Sequence, residues 1–205
     1  MEFKNNKEEA PFEHYVEKFR QMEPEDAVRR LQIPFDGNAF TIGFLHQTYA
    51  ITHPEYTISG AGADAWALHK LPAQTFLLRY LLTGKNLPAG GGWKTFQQLP
   101  WGEVYLQPFT GRCINRSAFT FGRNIEKYAA AARKLGGVEI GQGDAGFEFA
   151  VVQDYRVRIS VWEADEEFGP SAQILFSDNH AAGFLADESV AAAELLIGAL
   201  AAAMG

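Results

Sequence analysis

Cysteine is nearly absent: Cys113 is the only one in 205 residues. A single thiol excludes an internal disulfide, cannot alone furnish a four-cysteine zinc or iron–sulfur site, and suits a reducing cytoplasm. Basic charge is also short. Lys and Arg total 18 against 25 Asp and Glu, a formal net charge of −7, which disfavours non-specific attraction to nucleic acid or anionic membranes. The histidines (His14, His46, His53, His69 and His180) show neither H-x-x-x-H nor H-E-x-x-H spacing, so a histidine–metal site would need the fold to assemble it. Gly90-Gly91-Gly92 lacks the frame of a phosphate loop, and no G-x-G-x-x-G opens a helix after a strand, so nucleotide binding has no support. No apolar run is long enough to span a bilayer. The last one, Val190 to Met204, is interrupted by Glu194 and falls short of the roughly 20 residues required. It reads as a buried helix whose alanines permit close packing in the fold or across a homodimer. The charged start, "MEFKNNKEEAP", carries no apolar segment of an export leader.

What is present is a chain 47% hydrophobic, enough to bury a core as one domain. Phe12, Tyr15, Val16 and Phe19 fall at helical spacing, and a second short helix is expected after Pro24, a residue tolerated in a first turn. Phe40, Ile42 and Phe44 then alternate, and "TYAIT" and "YTIS" follow, which predicts a three-strand meander. "PAQTFLLRYLLT" reads as a helix enclosed on several sides. Residues 85–123, rich in Gly, Pro and aromatics, predict an irregular connection with one short strand. Asn124 caps an expected helix over 125–135. Strands at about 147–153, 156–162 and 172–176 precede a final helix from near Asp187. The fold class is α+β in a single compact domain over 1–205. The order helix, strand, strand, strand, helix occurs over 24–84 and again over 124–203, so the reading leaves open a duplicated unit with antiparallel meanders.

The stretch "VWEADEEFGPS", Val161 to Ser171, sets four carboxylates into five positions after a buried-type strand. Val157, Ile159 and Val161 share one face of that strand, and Arg156, Arg158, Ser160 and Trp162 the other. Glu163, Asp165, Glu166 and Glu167 admit three readings. A hard divalent cation prefers carboxylate oxygens, and Glu163, Asp165 and Glu166 are its candidate ligands, although no calcium-loop spacing is present. A carboxylate of raised pKa would serve acid/base catalysis. The third reading, a solvated turn whose acids pair with Arg156, Arg158 or another surface base, is preferred. In "TGRCINRSAFTFGRN", Arg112, Arg116 and Arg123 around Cys113 suggest a basic pocket for an anionic ligand, or a partner for the acidic turn. Trp93, Trp101, Tyr105 and Phe109 either line a ligand groove or, the favoured alternative, anchor the connection to the core.

On "LLRYLLTGKNLPAGGGWKTFQQLP", "ARKLGG", "VWEADEEFGPSAQILF" and the helix after "FLADESV", the chain from about Leu77 to Leu200 resembles the bacterial and archaeal family catalogued as domain of unknown function 3786. Members look like single α+β domains, some joined to a four-cysteine iron–sulfur module of the kind found in corrinoid proteins of anaerobes. The resemblance implies an anaerobe's cytoplasm and a partner in one-carbon or redox metabolism, and it supplies no catalytic residues. The expected function is a non-catalytic accessory domain. It would present the acidic turn, with Trp162, Glu163, Asp165, Glu166 and Glu167, or the groove near Trp93 and Trp101, to a protein or a small anionic ligand. The rival is an enzyme using Glu163 or Glu166 as acid/base and Arg112 or Arg116 to hold an anionic substrate. A homodimer through the last helix is the third alternative.

Overall fold

The computed structural model describes residues 7–60 and 66–205. The stretch "MEFKNN" at the head of the leader reading lies outside them. The described chain is α+β, with all strand pairs antiparallel, and it divides into two compact units, residues 1–86 and 87–205.

In the first unit, α1 (Glu9–Gln21) and α2 (Pro24–Leu31) are followed by β1 (Ala39–Phe44), β2 (Gln47–Thr52) and β3 (Ile58–Gly60), then by α3 (Leu71–Thr83). The strands form the expected meander, β3 on β2 on β1. Phe40, Ile42 and Phe44 are buried while Thr41 and Gly43 face outward, as period two requires. Phe76, Leu77, Leu78, Tyr80 and Leu81 of α3 are all buried, which accounts for its apolar circumference. The carbonyls that end α3 find donors in α2. Arg30 gives N–H groups to Leu81, Leu82 and Gly84 carbonyls at 2.8, 3.1 and 2.6 Å, satisfying groups a helix terminus leaves open and placing positive charge where its dipole favours it.

The second unit holds β4 (Trp93–Thr95), α4 (Gly102–Phe109), a π-helical turn over Thr110–Asn115, α5 (Arg116–Phe121), α6 (Ile125–Lys134), β5 (Val138–Glu139), β6 (Ala145–Val152), β7 (Tyr155–Trp162), β8 (Ser171–Ser177), α7 (His180–Gly183) and α8 (Ala186–Ala203). Its strands run β6, β7, β8, β4, with β5 on β6. The register stacks Phe147, Ile159 and Ile174 in one row and Phe149, Val157 and Phe176 in the next, all buried. These rows meet α5 and α6, and α8 packs on those helices. Tyr128 of α6 stacks on Phe121 with centroids 4.7 Å apart and gives its hydroxyl proton to the Ile159 carbonyl at 2.8 Å. Ten residues of α8, including Ala192, Ala193, Ala199 and Leu200, are buried within the chain.

Residues 85–123 depart from the irregular connection read in the sequence. The short strand is there as β4, but residues 102–121 are helical throughout. The signal is hidden because Gly102, Pro108 and Gly111 are poor helix residues. Pro108 lacks the N–H that would reach the Val104 carbonyl, and the chain widens into the π turn just beyond it. The two-residue β5 and the single turn α7 are also absent from the sequence reading.

Candidate functional site

Trp162 ends β7 opposite Ser171, which begins β8, and the acids lie in the loop between. Only one of them has a structural task. Asp165 Oδ1 accepts the N–H groups of Glu167 and Phe168 at 2.8 and 2.6 Å, while the Asp165 N–H reaches the Phe168 carbonyl at 2.9 Å. These bonds to the ionised form hold its carboxyl below the usual range, the Phe168 N–H contributing most. The loop start is tied by Asp144, whose Oδ2 accepts the Glu163 N–H at 2.8 Å. The carboxylates of Glu163, Glu166 and Glu167 are exposed and make no ion pair or hydrogen bond among the described residues. The loop is therefore a solvated turn, but Arg156 and Arg158 are not its partners. Both bind Glu148, their cross-sheet neighbour, at 2.8 and 2.9 Å. Burial pushes the Glu148 carboxyl up, and the two guanidinium groups overcome that and hold it below its ordinary value. Arg158 also lies over the Trp93 ring at 3.8 Å, a cation–π contact that explains that tryptophan's half-burial.

Two recesses meet at Trp162. One, of about 680 Å³, is lined by Asp144, Trp162, Glu163, Asp165, Phe168 and Ser171. The other, of about 410 Å³, is an apolar groove lined by Phe96, Leu106, Phe109, Ile114, Trp162 and Ile174. Phe96 and Phe109 stack at 4.1 Å in its lining and are backed by the buried Phe176. The groove follows the margin of β8, and Phe168, 69% exposed, stands above the acidic end. A third, polar recess of about 320 Å³ lies among Gly91, Trp93, Glu148, Arg156, Arg158 and Ser177. Beside it Asp178 accepts the N–H groups of Gly90 and Gly92 at 2.8 and 3.0 Å, so the triple glycine closes on a carboxylate.

The arginine expectation fails on geometry. Arg112 makes a bidentate pair with Glu194 of α8, both contacts 2.7 Å, and Arg123 lies over the Phe119 ring. Neither Arg112 nor Arg116 lines the recess that holds Glu163. Among the described residues no arginine pairs with the acidic turn, and Arg112 is drawn away to α8. Burial, reinforced by Glu194, pushes the Cys113 thiol up to about 12, which leaves no thiolate at neutral pH. Trp101 also departs from the anchoring reading: it is 71% exposed and caps α4 at a φ of 64°. With Val104 and Tyr105 it forms an outward apolar stripe. Among the described residues no three His, Cys, Asp or Glu side chains converge as metal ligands, Glu163, Asp165 and Glu166 included. Sequence reasoning missed Phe96, Leu106 and Ile114 because their helical context was unread, and missed Glu148 because its partners lie on the neighbouring strand.

A family model matches residues 23–198. The chain belongs to that family, Domain of unknown function (DUF3786). The match takes in both units and begins well before Leu77, where the sequence resemblance starts, so the DUF3786 domain includes the first meander as well as the groove. No curated protein and no solved structure matches the chain. Among its described residues no helix is long and apolar enough to cross a membrane.

Proposed function

We propose that this DUF3786 domain is a non-catalytic accessory module that binds a protein partner along the groove beside β8. The supporting observation is the continuity at Trp162 of an apolar groove with an acidic recess lined by Asp144, Asp165 and the unpaired Glu163. An apolar centre with a charged rim is the anatomy of a protein interface. The enzyme reading has less support, because the acids that would catalyse are solvated, Arg112 is paired with Glu194, and neither Arg112 nor Arg116 lines the acidic recess. The placement of the partner in corrinoid or other one-carbon and redox metabolism of an anaerobe rests on the family resemblance alone.

A photo-crosslinking residue placed at Gln173, on the groove rim, tests the reading in lysate of the source organism. A control is placed at Ala130, exposed on α6. A discrete protein adduct from Gln173 and none from Ala130 is expected. Equal labelling from both positions, or none from either, would overturn it.

A further inference from the structure

β4 pairs with only half of β8. Its last residue, Thr95, lies opposite Leu175. There the chain turns away into the helical turn Phe96–Gln98, whose capping box joins Thr95 and Gln98, the Thr95 N–H reaching the Gln98 side chain at 2.9 Å. The N–H and C=O groups of a strand point alternately to its two sides. Asp178 donates to the Gly92 carbonyl at 3.0 Å, so residue 178, and with it Phe176, Ile174 and Ala172, faces the β4 side. Phe176 is met there by Lys94. Ile174 and Ala172 face the groove with no strand opposite them among the described residues. The open edge is about four residues long, and Phe96, Leu106 and Phe109 flank it with apolar surface. At its hairpin end stand Glu163, Glu166 and Glu167, three carboxylates with no partner.

We infer that the groove takes an extended peptide segment of the partner, which adds as an antiparallel strand to β8 in the lane β4 vacates. This rests on the protein-binding reading above and specifies its occupant. β8 runs away from the acidic turn, so an antiparallel segment runs toward it. Its alternate side chains enter the apolar groove first, and its following residues arrive among the carboxylates. The segment is therefore apolar at alternate positions and Lys- or Arg-bearing at its C-terminal end. Main-chain bonds to Ala172 and Ile174 supply register, and the groove and the acids supply selectivity.

The test is fluorescence anisotropy with the full chain and dye-labelled acetyl-Val-Ser-Val-Ser-Lys-Lys-amide. N-methylation of one alternate set of amides should weaken binding by about tenfold or more, because each methyl removes a hydrogen bond to β8 and intrudes on it. Methylation of the other set, facing away, should be tolerated. Replacing the lysines by glutamates, or mutating the chain Glu163→Gln/Glu166→Gln/Glu167→Gln, should each weaken binding about fivefold, as loss of exposed charge pairs does, and high salt should act the same way. The substituted side chains are exposed and unpaired, so the variant keeps its melting curve. Equal sensitivity to both methylation patterns would overturn strand addition, and indifference to both charge changes would overturn the basic specificity. A discrete adduct at Gln173 with no peptide bound would leave the protein-binding function standing and remove this mode of recognition. Absence of both would remove both.

Discussion

Asp165 and Glu166 are neighbours with the same charge and opposite circumstances. The first is a turn-building acceptor for two backbone N–H groups, and the second is a free carboxylate in water. Composition shows four acids in a row of five, but cannot show which of them the backbone uses. Asx turns depend on an acceptor two or three residues ahead of an open N–H, and Asp165 is the one acid here that meets that condition with a side chain short enough. Asp165→Ala should speed hydrogen exchange at the amides of Glu167 and Phe168, while Glu166→Ala leaves both unchanged; exchange read by NMR separates the two. Equal effects would place the order of the turn in its charge and not in these bonds. Arg156 and Arg158 teach the complementary lesson. Alternation in the sequence puts them on one face of a strand, but their acid, Glu148, is fixed by the β6–β7 register, which no local pattern contains.

At the level of elements, the regular periods were legible and the irregular ones were not. Phe40, Ile42 and Phe44 announce β1, and Asn124, whose side chain accepts the Lys127 N–H at 3.0 Å, announces α6. The groove wall over 102–121 is built from residues that argue against a helix one by one. It is held by tertiary contacts: Phe109 on Phe96, Cys113 in the core and Arg112 on Glu194. Gly102 is required there by close approach. A methyl group on it would meet the Phe96 carbonyl, which is backbone and cannot swing aside. Gly102→Ala should therefore cost about 1–3 kcal/mol, as overpacking does, and deform the groove. Gly111, in the π turn with open space around its Cα, gives the contrast. Gly111→Ala should be neutral or gain up to about 1 kcal/mol from the reduced freedom of the unfolded chain. Denaturant melts of the two variants decide whether the glycines of this stretch serve packing or only flexibility.

For the whole molecule, one buried group links stability to pH. His180 is fully buried among the rings of Tyr155, Phe176 and Phe184, and its Nε2 has no hydrogen-bond partner. Burial lowers its pKa from 6.5 to about 3. Above 6.5 the ring is neutral in both the folded and the unfolded chain, so its contribution is at its full value. Between 6.5 and about 3 the unfolded chain holds a proton that the folded chain refuses, and stability falls as pH falls, by at most about 1.4 kcal/mol per pH unit. Carboxyls held below their ordinary value, Glu148 among them, add their own loss only as pH approaches and passes below 4.5. From pH 6.5 to 5 the buried histidine therefore acts before these carboxyls do. Urea melts across this range should show a declining free energy for the native sequence and a flatter profile for His180→Phe, whatever the variant's stability at neutral pH. Parallel profiles would mean that the folded chain accepts the proton, through water reaching the ring or a shift of Tyr155. The sequence leaves His180 open as a surface or a core residue, since "FSDNHAAG" carries no period that marks a buried face. Its burial follows from α7 folding back over the end of β8, with Gly183 so close to Tyr155 that a side chain there would strike the tyrosine hydroxyl.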